Sequence, residues 1–138
     1  MPSFAPMHAT TVQVRFADTD ALGHVNNARY AEYVEAARLD FFRAVDIEVE
    51  ALILARLEID FRAQLRARPE VHVHTGVERL GRTSVTMTHR ICERADGDDW
   101  GQVFAEARAV VVLFSYATNR PAELTAELRA ALGSYVVA

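Results

Sequence analysis

The sequence predicts an α+β fold in which a mainly antiparallel sheet of five strands wraps around one long helix. Three observations predict it. Segment 28–45 carries apolar residues at helical spacing. Four later segments alternate apolar and polar residues with a period of two. Tight-turn signals join three of these into a meander, so the pairing is antiparallel.

The first strand is read over residues 10–16 (TTVQVRF), which alternate. Residues 17–27 (ADTDALGHVNN) are rich in Asp, Gly and Asn and read as a loop with helix-start chemistry. The helix follows. Tyr30, Val34, Ala37 and Phe41 form its apolar face, widened by Tyr33, Ala36 and Ala44. Glu35 and Arg38 are assigned to its polar side as a weak i,i+3 pair.

The period then changes. In 53–65, Ile53, Ala55, Leu57, Ile59, Phe61, Ala63 and Leu65 fall on one face and polar residues dominate the other. Val71, Val73, Thr75 and Val77 begin the next strand, and Leu80-Gly81-Arg82 turns it. Val85, Met87, His89 and Ile91 line another. Residues 95–99 (ADGDD) contain Asp-Gly, a strong hairpin signal. Val103, Ala105, Ala107, Ala109, Val111 and Leu113 line the last strand. Residues 123–132 read as a short terminal helix. The alanine stripe lets helix and sheet approach closely. Leu54, Phe104, Val110, Val112 and Phe114, read onto the outer face, argue for a homo-oligomer.

The bulk numbers set the function classes. The 138 residues fit one domain, 1–138, with residues 1–8 expected as a flexible tail. A composition of 51% hydrophobic and 25% charged residues supports a packed core. The net charge of -4 argues against nucleic acid. No apolar run approaches the ~18 residues of a membrane span, and residues 1–8 carry no signal-peptide pattern. The lone Cys92 fits a reducing, cytoplasmic setting. All 15 cationic side chains are arginines, which removes lysine Schiff-base chemistry and the P-loop lysine. No nucleophile elbow, P-loop or dinucleotide fingerprint occurs.

The loop before the helix is the chemically unusual stretch. A helix N-terminus presents unpaired N–H groups and partial positive charge, which polarise a carbonyl. A carboxylate nearby serves as nucleophile or general base. By spacing alone, however, Asp18, Asp20 and the asparagines read as ordinary loop and cap residues.

The segment 16–30, FADTDALGHVNNARY, resembles the active-site motif of the 4-hydroxybenzoyl-CoA thioesterase-like family: aromatic-x-D-x-D-x-x-G-x-V-x-x-x-x-Y. Its H-V-N-N variant is similar to the fatty acyl-CoA branch. The helix, strand order and L-G-R-T-S turn (80–84) extend the resemblance to about residues 10–115. It implies a hotdog fold, a homo-oligomer (dimer or dimer of dimers, hence homotetramer), acyl-CoA as substrate and no cofactor or metal. It assigns Asp20 as the catalytic carboxylate and the Asn27 backbone N–H as the activating donor. Gly23, His24, Val25, Asn26 and Tyr30 then shape the substrate site, and Asp18 is structural. Arg62, Arg66, Arg68 and Arg82 are candidates for the CoA phosphates, and Thr83 and Ser84 for the pantetheine arm.

Other polar residues receive plainer readings. His72 and His74 share a strand face without further metal ligands in view. His89 reads as a satisfied core histidine, Glu32 and Glu35 as solvated or paired, and Cys92 as no nucleophile. A hotdog hydratase or dehydratase, and a non-catalytic acyl-CoA binding module, are the alternatives to hydrolysis.

Overall fold

The computed structural model describes residues 7–47 and 51–136. Strand β1 is His8–Gln13 and helix α1 is Arg29–Ala44. Strands β2 (Leu52–Phe61), β3 (Glu70–Leu80), β4 (Ser84–Cys92) and β5 (Val103–Ser115) follow. A two-residue β6, Arg120–Pro121, and helix α2, Ala126–Gly133, come last. The sheet order is β1-β3-β4-β5-β2, all neighbours antiparallel, with β6 added beside β5. This is the hotdog arrangement, with a sixth short strand beyond the five expected.

Several boundaries moved for local reasons. The expected strand 10–16 begins at His8, which already pairs with Thr75, and ends at Gln13. Of the expected tail, residues 1–6 lie outside the described residues. Phe16 sits in a 3-10 turn, Phe16–Asp18, because the Asp18 carboxylate accepts from the Arg15 backbone N–H at 2.9 Å and bends the chain there. Strand β2 stops at Phe61 instead of Leu65. The Arg62 and Ala63 N–H groups both donate to the Phe104 carbonyl, which ends the regular ladder. A register shift between Leu54 and Arg56 breaks the alternation near the start of β2. Ile53 and Ala55, expected inside, are exposed.

Helix α1 has 16 residues, two fewer than expected, and its backbone runs nearest β1 and β3 rather than across the middle of the sheet. Two clusters form the core. The N-terminal half of α1 packs Tyr30, Tyr33, Val34 and Ala37 onto Val71, Val73, Ile91 and Ala105. The C-terminal half packs Phe41 and Phe42 onto Val77, Met87 and Val111, with Leu132 of α2 closing that end. Burying each phenylalanine contributes roughly 1.5–3 kcal/mol. Ala105, Ala107 and Ala109 are all buried beneath the helix side of the sheet. Thr125 caps α2, its hydroxyl accepting from the Leu128 N–H at 3.1 Å. The Asp-Gly hairpin closes as expected, with the Asp99 N–H on the Asp96 carbonyl and Gly97 at φ 52°.

Two burial assignments fail. Arg38 is only 6% exposed, so it belongs to the inner flank of α1 and not to the polar side. Phe104 is buried, with the Arg68 guanidinium 5.6 Å over its ring, so it adds nothing to an exposed outer face. Leu54 is exposed, while Val110, Val112 and Phe114 are half-buried. No described helix is long and apolar enough to cross a membrane.

Candidate active site

Residues 18–26 form a small hairpin, with Thr19 opposite Val25. The Asn26 N–H donates to the Asp18 carbonyl and the Asp20 N–H to the His24 carbonyl, each at 2.8 Å. Gly23, at φ +80°, makes the reversal, a conformation that other L-residues resist. This hairpin lies on the segment after β2. The Val25 N–H donates to the Leu65 carbonyl at 2.7 Å, and the Ala67 N–H to the Gly23 carbonyl at 3.0 Å.

Beneath the hairpin, Asp18 is fully buried and fully used. It accepts from the Arg15 backbone N–H, from the Arg15 guanidinium at 2.8 and 3.1 Å, and from the Tyr33 hydroxyl at 2.8 Å. Burial pushes its pKa up, but the hydrogen bonds from Arg15 and Tyr33 outweigh this and hold it below the usual carboxylate range. Burial and the Asp18 hydrogen bond push the Tyr33 phenol well above its ordinary range. Glu32 pairs with Arg15 and Arg29 at the surface, as its paired reading expected.

Asp20 is different. Its side chain is exposed, and its Oδ1 accepts from the N–H groups of Leu22 (2.9 Å) and His24 (3.2 Å). Oδ2 has no hydrogen bond among the described residues. The loop therefore orients the carboxylate through one oxygen and leaves the other open among the described residues.

The start of α1 carries the second element of the site. The Asn26 side chain accepts from the Ala28 N–H at 2.9 Å, and the Asn26 carbonyl accepts from the Arg29 N–H at 2.9 Å. The Asn27 N–H has no acceptor among the described residues, and it stands at the positive end of the helix.

These groups share a cleft of about 370 Å³ lined by Asp20, His24, Val25, Asn27, Tyr30 and residues 61–65. Tyr30 is buried, with its ring edge-on to Phe61 at 4.9 Å. Burial raises its phenol pKa, the Leu65 backbone working the other way. Gly23 and Asn26 shape the loop without lining the cleft. Arg62 lines it and also pairs with Glu106. Arg66 bridges to His24 through the backbone, its side chain exposed. Arg68 donates to the Glu70 carbonyl.

Arg82, Thr83 and Ser84 lie elsewhere. The β3–β4 turn is at the far end of the sheet from Glu70, about 30 Å along an eleven-residue strand. There Arg82 pairs with Glu123 and the Thr83 carbonyl accepts from the Leu113 N–H. Within one chain these three residues do not meet the cleft. Phe61, Ala63, Gln64 and Leu65 do line it and were read only as strand residues. Their signal was the unusual length of the alternating run, which leaves the sheet after Phe61.

The histidines and the cysteine also have places. His72 contacts Thr11 at 3.1 Å, and His74 stacks on Trp100. Among the described residues no three His, Cys, Asp or Glu side chains form a metal-binding group. Cys92 is buried, and burial pushes its thiol up to about 11. His89 is buried but only half satisfied: Nδ1 bonds Thr75 Oγ1 at 3.0 Å, while Nε2 has no partner among the described residues.

Known proteins are similar to this chain in sequence and in fold. YsmA of Bacillus subtilis (strain 168), an uncharacterized protein, is 28% identical over 63% of this chain and 61% of its own length. The chain therefore spans less than two thirds of that relative. The long-chain acyl-CoA thioesterase FadM of Escherichia coli (strain K12) is 27% identical over 92% of this chain and 98% of its own. A solved thioesterase from Thermus thermophilus, complexed with coenzyme A and Zn, superposes with a TM-score of 0.79 at 32% identity. That superposition covers 92% of this chain and 97% of the other. A family model described as the thioesterase-like superfamily matches residues 14–132. The chain belongs to the thioesterase-like superfamily.

Proposed function

We propose that this chain hydrolyses acyl-CoA thioesters to a free acid and CoA. The observation that carries the reading is the shared cleft: an Asp20 carboxylate and an Asn27 N–H, one oxygen and the N–H without partners among the described residues, line the same space. The FadM name and the coenzyme A in the Thermus relative support acyl-CoA as the substrate class.

In this mechanism the thioester carbonyl accepts from the Asn27 N–H, which stabilises the developing oxyanion. Asp20 attacks the carbonyl carbon, or takes a proton from the water that does. The C–S bond breaks and CoA leaves as a thiolate, a group that needs little acid assistance. On the nucleophilic route, water then hydrolyses the acyl-aspartyl anhydride. Arg62, which lines the cleft, and Arg66, bridged to His24 through the backbone, are the phosphate partners this reading favours. The reading includes a second copy of the chain covering β2, the edge strand of the sheet, where Ile53, Leu54 and Phe61 are 39%, 40% and 50% exposed. Sedimentation equilibrium is expected to give a dimer or its multiple. A monomer at micromolar concentration contradicts that part.

The test is Asp20→Asn in a thiol-release assay over an acyl-CoA panel. The amide keeps an Oδ1 acceptor for Leu22 and His24, so the loop survives. Turnover is expected to fall by on the order of 10²–10³ or more, by analogy with the loss of one oxyanion donor. Unchanged turnover rejects the assignment. His24 and Asp20 share the cleft, so hydration of a crotonyl-type thioester is the control for hydratase chemistry.

A further inference from the structure

The nucleophilic route has two halves, and Asp20 serves only the first. Once an Asp20 oxygen is bonded to the acyl carbon, no free carboxylate is left. The water that cleaves the acyl-aspartyl anhydride must then lose its proton to another group. The cleft offers few. Its titratable lining residues are Asp20, His24, Tyr30 and Arg62. A guanidinium stays protonated and has no lone pair to give. Burial raises the Tyr30 phenol above its ordinary range, so it keeps its proton. His24 is the group that remains.

The hairpin fixes His24 beside Asp20. Thr19 and Val25 are bridge partners, so the next pair toward the turn is Asp20 and His24. The Asp20 N–H donates to the His24 carbonyl at 2.8 Å, and the His24 N–H donates to Asp20 Oδ1 at 3.2 Å. Residues opposed in this way present their side chains on one face, with β-carbons about 4.5–5.5 Å apart. On its other flank His24 bridges to Arg66, and the Ala67 N–H donates to the Gly23 carbonyl. Main chain thus holds His24 from both sides. Its side chain is half-buried, and the ring has no hydrogen bond among the described residues. A neutral imidazole keeps one nitrogen as an acceptor.

We infer that His24 is the general base of the second half-reaction, taking a proton from the water that hydrolyses the acyl group on Asp20. The inference rests on the thioester-hydrolase reading and commits it to the nucleophilic route. In the first half, the Asp20 carboxylate bonds to the acyl carbon, the C–S bond breaks and CoA leaves as the thiolate. In the second, the water oxygen bonds to the same carbon as its proton passes to His24. The C–O bond to Asp20 breaks, the electron pair returns to the Asp20 carboxylate, and the free acid departs. The imidazolium gives its proton to the CoA thiolate or to solvent, which restores the resting site. The Asn27 N–H serves both halves, since each passes through an oxyanion on the same carbonyl.

Rapid-quench kinetics of His24→Gln separates the halves. The glutamine is polar, leaves the main-chain contacts in place and cannot act as a base. The variant is mixed with an acyl-CoA that the wild type turns over, quenched in acid, and assayed for free CoA and for protein mass. The expected result is a burst of about one CoA per site, then steady-state turnover lower by on the order of 10²–10⁴. The acyl mass is expected on the peptide that contains Asp20. His24→Ala serves if His24→Gln does not fold. Its turnover is expected to rise when imidazole is added to the buffer, which a purely structural histidine does not produce, and no rise overturns the inference. Turnover of His24→Gln near that of the wild type overturns it as well. So does a fall in turnover with no burst and no acyl adduct, because His24 then acts before the C–S bond breaks. A wild type that releases no CoA from any member of the acyl-CoA panel rejects the hydrolase reading, and this inference with it.

Discussion

Asp18 and Asp20 are two residues apart and live in opposite environments. Asp18 is fully buried and accepts four hydrogen bonds, from Arg15 and Tyr33. Asp20 is exposed, has one oxygen held by two backbone N–H groups, and has the other unengaged among the described residues. A carboxylate whose lone pairs are all taken cannot attack a carbonyl or accept a proton without dismantling its own site. A carboxylate held at one oxygen is oriented and still reactive. On the proposed mechanism the pair divides the labour of the motif: Asp18 braces the hairpin through Arg15 and Tyr33, and Asp20 is the carboxylate left to react.

The same substitution at both positions tests that division. Asp20→Asn is expected to lose on the order of 10²–10³ in turnover with an unchanged Tm. Asp18→Asn is expected to do the reverse, because its NH2 group faces donors. It leaves the buried Tyr33 hydroxyl and an Arg15 N–H short of an acceptor, at a cost of roughly 2–3 kcal/mol. For a domain of this size that lowers Tm by about 10 °C, while turnover well below Tm is retained. A thermal melt and a thiol-release assay on each variant read both outcomes. If Asp18→Asn kills turnover without lowering Tm, the division fails.

Acid unfolding sharpens the contrast. The folded-state pKa of Asp18 lies below its unfolded value of about 3.9. The unfolded chain therefore binds the proton more readily. The stabilisation from Asp18 is complete above pH ~3.9 and is lost as pH falls through the lower folded value. In Asp18→Asn the group is gone. The stability gap between wild type and variant is expected to narrow as pH drops below ~4. A constant gap, read by circular dichroism across roughly pH 2–6, contradicts the contribution assigned to the ionised carboxylate.

How far the sequence revealed this depends on what sets each feature. Period-two alternation located the four strands after α1, because one buried face imposes that pattern on any chain. It misplaced the end of β2, since Ala63 and Leu65 keep the period after the backbone has left the ladder at Phe104. Spacing alone did not separate Asp18 from Asp20. Their difference comes from Arg15 and Tyr33, which the fold brings to one of them. Only the motif resemblance assigned the two carboxylates the roles proposed for them. Arg38 was put on the wrong side of α1 because an arginine at a flank position reads as solvated. Its burial depends on how the helix lies over the sheet, which no local pattern encodes.

Tyr33→Phe gives the smallest expected effect and isolates one strand of the Asp18 network. The ring stays in the core against Val34 and Ala37, so packing is kept and only the 2.8 Å hydroxyl bond is lost. A single hydrogen bond of this kind contributes about 1 kcal/mol, or up to roughly 3 kcal/mol when the acceptor is charged. Arg15 continues to hold Asp18 Oδ1 and to donate its backbone N–H to Oδ2, so the lower figure applies. The expected result is a Tm decrease of a few degrees, and an Asp18 pKa that rises toward the ordinary range because one stabilising donor is gone. Turnover stays near wild type, since the Asp20 Oδ1 contacts and the Asn27 N–H do not involve Tyr33. A large fall in kcat with little change in Tm ties Tyr33 to the reacting end of the cleft, and with it Asp18.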